Sequence, residues 1–396
     1  MQDDPIVITG MARTAQGAFQ GELSSLTASE LGATAIASAI ERSNIANDQV
    51  EDVIMGCVLP AGQGQAPARQ AALGAGLPLS TGATTINKMC GSGMKSVMFA
   101  HDLLLAGSAK VMVAGGMESM SNAPYILDKA RAGYRMGHNK VLDHMFKDGL
   151  EDAYEQGKLM GCFADDTAQN LQITREDQDN FALESLKRAQ TAQENGDFKA
   201  EITPVTIKTR KGEVTVTEDE SPRTAMPEKI PNLRPAFNPD GTVTAANASS
   251  ISDGAAAMVL MRRSEAEERG LPIIAEIKGH SFHAQKPSEF TLAPIGATQS
   301  LMERLGWSVD DVDLFEVNEA FAVVTLAAMR QLNLPAEKVN IHGGACALGH
   351  PVGASGTRIM ITLLSAMEKH GLKRGIASLC IGGGEATAIA LERPAA

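Results

Sequence analysis

Ile86-Asn87-Lys88-Met89-Cys90-Gly91-Ser92-Gly93-Met94-Lys95-Ser96 sets a cysteine between a β-prone run, Thr84 to Ile86, and a helix-prone run, Met94 to Leu105. If the helix begins near Cys90, its unpaired N–H groups and positive dipole end favour thiolate over thiol. Gly91, Ser92 and Gly93 let a bulky group approach the backbone. Most free cysteines are small buried hydrophobes, so this stretch alone leaves both readings open.

The same strand–turn–helix pattern extends outward. Ile6 to Thr9 and Val53 to Met55 read as strands and Pro67 to Leu73 as a helix. Leu31 to Arg42 reads as an amphipathic helix with Leu31, Ala35, Ile36, Ala39 and Ile40 on one side. Val111 to Gly116 is the short apolar run expected of a strand buried on both faces. The last third repeats this order: Ile295 to Leu305 parallels Leu31 to Arg42, and Val312 to Glu316 parallels Val50 to Met55. Val339 to Ile341 with the helix Ser355 to Lys369 parallels Thr84 to Leu105, and Ala377 to Gly383 parallels Val111 to Gly116. Matched order in four elements marks a duplication, two α/β halves packed as a pseudo-twofold pair with helices on both faces of each sheet.

Ser119 to Thr244 differs, with Pro, Gly and charge throughout. It holds one clear helix, Arg175 to Glu194, with Thr174 as N-cap and Asp177 at the third helical position, and a hairpin around Arg210-Lys211-Gly212. A segment this long is not a bare loop. Residues 1-118 and 245-271 therefore form the N-terminal half, 119-244 an inserted subdomain, and 272-396 the C-terminal half, with Thr242 to Ser249 as the returning strand. The fold class is α/β.

Length suits two or three domains at 396 residues. A net charge of -12 argues against nucleic acid as the main partner, while leaving room for a small anion held by a few local cations. Cys57, Cys90, Cys162, Cys346 and Cys380 are odd in number and lack zinc-site spacing, so free thiols, a reducing cytoplasm and no metal are expected. Met1-Gln2-Asp3-Asp4-Pro5 has no basic or apolar leader character, and no run is long enough to cross a bilayer, so no membrane partner is expected.

Gly343-Gly344-Ala345-Cys346-Ala347-Leu348-Gly349-His350-Pro351-Val352-Gly353-Ala354-Ser355-Gly356 places a histidine at the turn equivalent to that of Cys90. Twofold packing would bring the two together, and an imidazole beside a thiol is the usual activated-cysteine pair. Cys380, closing the last strand of its half before three glycines, should reach the same rim.

Asn87-x-x-Cys90-Gly91-Ser92-Gly93, Gly115-Gly116-Met117-Glu118-Ser119-Met120-Ser121, Asn318-Glu319-Ala320-Phe321, Gly349-His350-Pro351 and Cys380-Ile381-Gly382-Gly383 together resemble the thiolase family, in its order and over almost the whole chain. The resemblance implies a duplicated layered αβαβα fold of paired five-stranded halves, an inserted loop subdomain, and ping-pong acyl transfer on coenzyme A thioesters. The likeness is greatest to the acetyl-CoA acetyltransferase branch. It implies Cys90 as nucleophile, Cys380 as the base that removes a proton alpha to a thioester carbonyl, and His350 as activator of Cys90. Backbone N–H groups of Cys90 and Gly382 would form one oxyanion hole, and His350 with a water held by Asn318 the other. Coenzyme A would meet Arg223 at its nucleotide end and Ala245 and Ser249 along the pantetheine, with Met160 and Phe321 lining the tunnel. No bound cofactor is implied, since coenzyme A thioesters are the substrates, and the assembly would be a homodimer or homotetramer.

Leu159, His342, Glu385 and the segment Thr291-Leu292-Ala293-Pro294 depart from the family's usual residues. They bear on chain length and direction rather than on the catalytic motifs. The expected activity is condensation of two acetyl-CoA to acetoacetyl-CoA and its reverse, with a degradative thiolase for longer chains as the alternative. A catalytically idle scaffold conflicts with the intact Cys90, Asn318, His350 and Cys380. A decarboxylating condensing enzyme needs no second cysteine base, so Cys380-x-Gly382 tells against it.

Overall fold

The structure, a computed structural model, describes residues 4–210 and 212–394. The acidic residues 1–3 and Lys211 of the expected hairpin turn lie outside the described residues.

The first half runs β1 (Ile6–Thr14), α1 (Ala28–Ser43), β2 (Asp52–Gly56), α2 (Pro67–Gly74), β3 (Gly82–Ile86), α3 (Ser92–Ala106) and β4 (Val111–Ser119). The inserted segment carries α4 (Met160–Asn170), α5 (Arg175–Asn195) and a hairpin of β5 (Val205–Thr209) and β6 (Gly212–Val216). Thr174 and Asp177 close a reciprocal capping box on α5, as the sequence indicates. The chain then returns through β7 (Ser252–Arg262). The second half is β8 (Ala275–Ala284), α6 (Ala293–Leu305), β9 (Leu314–Val317), α7 (Ala322–Leu332), α8 (Ser355–Lys369), β10 (Arg374–Ile381) and β11 (Glu385–Glu392).

Hydrogen bonding orders these strands β9-β10-β11-β8-β1-β7-β4-β2-β3. Among the described residues the strands of the two halves pair at Val7 and Ile8 against Glu276 and Ala275, a short junction between two longer stretches of sheet. From its outer edge the first half reads β3-β2-β4-β7-β1, and the second reads β9-β10-β11-β8 in the equivalent order, with β9–β10 parallel as β2–β4 are. Alternate faces of the sheets bury different layers. Val7, Val53, Met55, Val113 and Val259 meet α1 through Leu31, Ala35, Ile36, Ala39 and Ile40. Ile6, Ile8, Met112, Met258, Leu379 and Leu391 meet Met94, Val97, Met98 and Leu104 of α3 and Ile359, Met360, Leu363 and Leu364 of α8. On the far side of the second sheet α6 packs Ala297 and Leu301 on Phe315, Val317 and Ile376. The layers are therefore αβαβα, with α3 and α8 in the middle. Helix α8 is buried from Ser355 through Met367, although Ser355, Arg358, Thr362 and Ser365 put a polar stripe along one side of it.

Two expected strands are absent. Val339 to Ile341 makes only a bridge between Val339 and Phe315, so the second half has four strands where five were implied. The Asn340 side chain takes over the ladder: its Oδ1 accepts from Val317 N–H at 2.9 Å and its Nδ2 donates to Val317 C=O at 2.8 Å. Asn340 itself is left-handed at φ 47, which ends extended pairing there. Thr242 to Ser249 is likewise no strand. Asp165 accepts from the N–H groups of Thr242 and Val243, and Asn247 caps the N–H of Thr244 and donates to Asp179, so side chains satisfy this backbone. Among the described residues no helix is long and apolar enough to cross a membrane.

Candidate active site

Four turns converge, three of them at the carboxyl ends of strands, where ligands of α/β sheets commonly bind. Residues 87–91 lead from β3 into α3, and residues 349–354 lead into α8. Asn318 follows β9, and Cys380 to Gly382 end β10. The contacts are close. A β-carbon on Gly93 would stand 3.0 Å from the Gly353 carbonyl oxygen, and one on Gly91 would stand 3.0 Å from Ile381 Cγ1. Met89 and Cys90 pack with Val352 of the histidine turn. Asn318 N–H donates to Ser378 C=O at 3.0 Å, fixing the Asn318 turn to β10 two residues before Cys380. Met89 is left-handed at φ 49, a strained conformation for a residue with a side chain, and it presents Cys90 at the head of α3.

Cys90 keeps a partial opening to solvent, yet dense packing pushes its thiol up to about 11, against the thiolate expected from the helix end. Backbone N–H groups of Gly382 and of Cys90 itself face the sulfur and offset part of that rise. These are the two donors the family resemblance names. Cys380 is fully buried, and its thiol lies well above the ordinary range, first from burial and next from the charge of Cys90. The two sulfurs therefore lie near enough for the charge of one to act on the other.

Burial holds the His350 imidazole down at about 3, so it is neutral near pH 7. Its tautomer follows from its partner. Ser355 Oγ donates to the Pro351 carbonyl at 2.9 Å and thus receives the hydrogen of His350 Nδ1 at 2.5 Å. Nε2 is left with its lone pair and no partner among the described residues, a base ready for a proton. Asn318, 1% exposed, likewise has neither amide atom paired among the described residues, as suits a residue that binds a water or a substrate oxygen.

Glu118 was passed over by sequence reasoning although its motif was noticed. Fully buried on β4, it accepts from the N–H groups of Val58 (2.9 Å), Leu59 (3.1 Å) and Gly353 (2.9 Å), and so ties the loop after β2 to the turn carrying His350. Burial raises its carboxyl to about 7 and these donors moderate the rise. The available signal was a lone acid in an otherwise uncharged buried strand. Glu319 braces the opposite side by accepting from Ser185, Asn340 and the Cys346 N–H.

Met160, Phe321 and Cys380 belong to one apolar cluster with Phe163, Phe237, Phe290 and Leu292. Gly382 borders it, since a β-carbon there would sit 3.6 Å from Met160 Sδ. Ser249 is joined to this wall by its N–H bond to the Ala320 carbonyl. Ala245 lines a neighbouring cavity of ≈ 330 Å³ with Thr224, Met226, Lys229 and Cys346. Arg223 stands elsewhere: it lines a separate cavity and pairs with Glu22 at 2.7 Å. Lys229 is the cation that shares the Ala245 cavity, and nothing in its local sequence distinguished it. Glu385 forms an ion pair with Lys88, binding the nucleophile turn to the second half. His342 lies away from the site, buried beside Asp197 and Phe198.

Comparison with known proteins agrees with this geometry. The family models for the thiolase N-terminal and C-terminal domains match residues 6–264 and 271–393. Acetyl-CoA acetyltransferase of Pseudomonas aeruginosa is 47% identical, covering 99% of this chain and 100% of its own. The enzyme of the same name from Escherichia coli is 49% identical, covering 98% of each. The crystal structure of Acat5 thiolase from Ascaris suum in complex with coenzyme A superposes with a TM-score of 0.93 at 40% identity, covering 98% of this chain and 100% of that one. By matched domains, relatives and layered architecture alike, the chain belongs to the thiolase family.

Proposed function

We propose that the protein is an acetyl-CoA acetyltransferase, reversibly condensing two acetyl-CoA to acetoacetyl-CoA and coenzyme A through an acetyl thioester on Cys90. The observation that carries this reading is the pair of cysteines, Cys90 beneath two N–H donors and Cys380 beside it as a buried second sulfur. Nearly full-length likeness to acetyl-CoA acetyltransferases supports it.

In the first half-reaction His350 Nε2 takes the Cys90 proton as the sulfur attacks the acetyl carbonyl. The N–H groups of Cys90 and Gly382 hold the developing oxyanion, and a donor of this kind is worth about 3–4 kcal/mol in the transition state. Collapse expels the coenzyme A thiolate, which takes the Cys380 proton and departs as the thiol. With Cys90 acetylated no second thiolate can form beside Cys380, so the repulsion between the two sulfurs that raises its thiol is absent. Cys380 then enters the second half-reaction as a thiolate, made strongly basic by burial. It removes a proton from the methyl of the second acetyl-CoA, whose enolate oxygen is met by protonated His350 and by a water on Asn318. The carbanion attacks acetyl-Cys90, and the Cys90 sulfur leaves and regains the proton from His350. Both cysteines end as thiols and His350 ends neutral, so the cycle closes.

Acetyl preference is favoured over the longer-chain alternative because Leu292 packs against the same cluster as Phe321, filling the wall rather than opening it. The test is thiolysis of 3-ketoacyl-CoA of four, six and eight carbons. The specificity constant should be greatest for acetoacetyl-CoA. A clear rise with length, worth up to about 0.8 kcal/mol for each methylene buried, would promote the degradative reading. Five free cysteines support a cytoplasmic setting. The half-exposed edge strand β3, paired on one side, supports a homodimer or homotetramer, which light scattering checks.

A further inference from the structure

Away from the thiols, His101, Asp102 and His280 form a group that the mechanism does not use. His101 and Asp102 lie in the last turns of α3, and His280 lies on β8, so the group joins the central helix of one half to a strand of the other. Asp102 Oδ1 is 2.9 Å from His101 Nδ1 and 2.9 Å from His280 Nε2. The two rings meet edge to face with centroids 5.0 Å apart. The imidazoles are sheltered, at 12% and 17% exposure, whereas Asp102 opens to solvent at 55%. The three donor atoms lie within 4.8 Å of one another.

We propose that His101, Asp102 and His280 form a binding site for a divalent transition metal of the zinc type, which staples α3 to β8. Two imidazoles and one carboxylate are the borderline donors that zinc, cobalt and nickel accept and that magnesium and calcium do not favour. Three protein donors leave a fourth, solvent-facing position for water, consistent with the exposure of Asp102. Tetrahedral zinc with bonds of about 2.0–2.1 Å separates its donors by about 3.3 Å. Each imidazole nitrogen therefore needs to retreat from Asp102 by about 0.4 Å, and the two nitrogens, which stand no more than 4.8 Å apart, need to settle to the same spacing for the ion to replace the two hydrogen bonds. Lys95 is the nearby cation that opposes metal binding: Asp102 is among the charges acting on it. His101 lies eleven positions after Cys90, about 16 Å by helical rise, which makes the ion a structural brace rather than a Lewis acid for the reaction. The spacing could not disclose it in the sequence, because Asp102 and His280 are 178 positions apart.

The test is titration of the full-length enzyme with zinc chloride by calorimetry after dialysis against a chelator, and with cobalt chloride by absorbance. Wild type should bind one ion per chain at this site, its melting temperature should rise with zinc, and the cobalt spectrum should lack the intense thiolate charge-transfer bands that binding at cysteine gives. His280→Gln should lose roughly tenfold or more in affinity, show no zinc-dependent rise in melting temperature, and keep wild-type thiolysis. His101→Gln should behave in the same way, so poor folding of one variant does not decide the matter. Equal affinity and stoichiometry in wild type and both variants, or a cobalt spectrum with thiolate bands alone, would overturn the proposal.

Discussion

Gly356 of α8 lies so near Met94 of α3 that a β-carbon on the glycine would stand 2.8 Å from Met94 Cβ. The reciprocal contact is as tight, with a β-carbon on Gly93 falling 2.8 Å from Thr357 Oγ1. Two glycines in the first turns of the central helices cost helix propensity, roughly 1 kcal/mol each relative to alanine. What they allow is an approach of the helix heads close enough for the Cys90 and His350 turns to touch.

Gly356→Ala is therefore expected to destabilise the fold by about 1–3 kcal/mol through overpacking, although alanine is the better helix former. It should also slow acetylation of Cys90 by moving the histidine turn outward. Urea unfolding and single-turnover acetylation check both effects. An alanine variant as stable as wild type would mean that the helices separate freely.

A second expectation concerns acid stability. His350 is held at about 3 in the fold against an ordinary 6.5, so between these values the unfolded chain binds the proton that the native site refuses. Its contribution is fully present above about pH 6.5 and is lost as pH falls toward 3. The shift corresponds to at most about 5 kcal/mol at an order-of-magnitude level. His342, held at about 4 by burial, adds a smaller effect of the same sign. Unfolding free energy measured from pH 7.5 down to pH 5 should thus fall less steeply in His350→Gln than in wild type. Parallel curves for the two proteins would contradict this.

Reactivity of the free enzyme gives a third. With Cys90 pushed up and His350 pushed down, the resting pair is thiol and neutral imidazole rather than thiolate and imidazolium. Alkylation of Cys90 by iodoacetamide should keep accelerating beyond pH 9. A plateau reached near pH 7 would show that the ion pair exists before substrate binds.

The legible parts of this protein were those with a local or repeated signature. The Cys90 and His350 turns, the buried run of β4 and the duplicated order of elements were readable because glycine punctuation and apolar runs recur in both halves. Val339 to Ile341 misled because its β-branched residues suit a strand, while the pairing is decided by the side chain of Asn340. Thr242 to Ser249 failed similarly, since Asp165 and Asn247 satisfy its backbone from outside any ladder. Arg223 was named by its family position, and its ion pair with Glu22, a partner 201 positions away, leaves no trace in local sequence. Glu118 shows the same limit, for its three N–H donors come from segments that only the fold assembles.

The division of labour between the two sulfurs is tested most directly in Cys380→Ser. The variant is incubated with acetyl-CoA, weighed intact, digested and mapped, and its condensation rate is measured beside wild type. The expected result is one acetyl group still on Cys90, formed more slowly than in wild type because serine replaces the thiol that protonates departing coenzyme A, with condensation slowed further, by roughly 10²–10⁴-fold, the range of general acid–base catalysis, or more. Acetyl on Cys346, or equal loss of acetylation and condensation, would contradict the assignment of Cys90 as nucleophile and Cys380 as base.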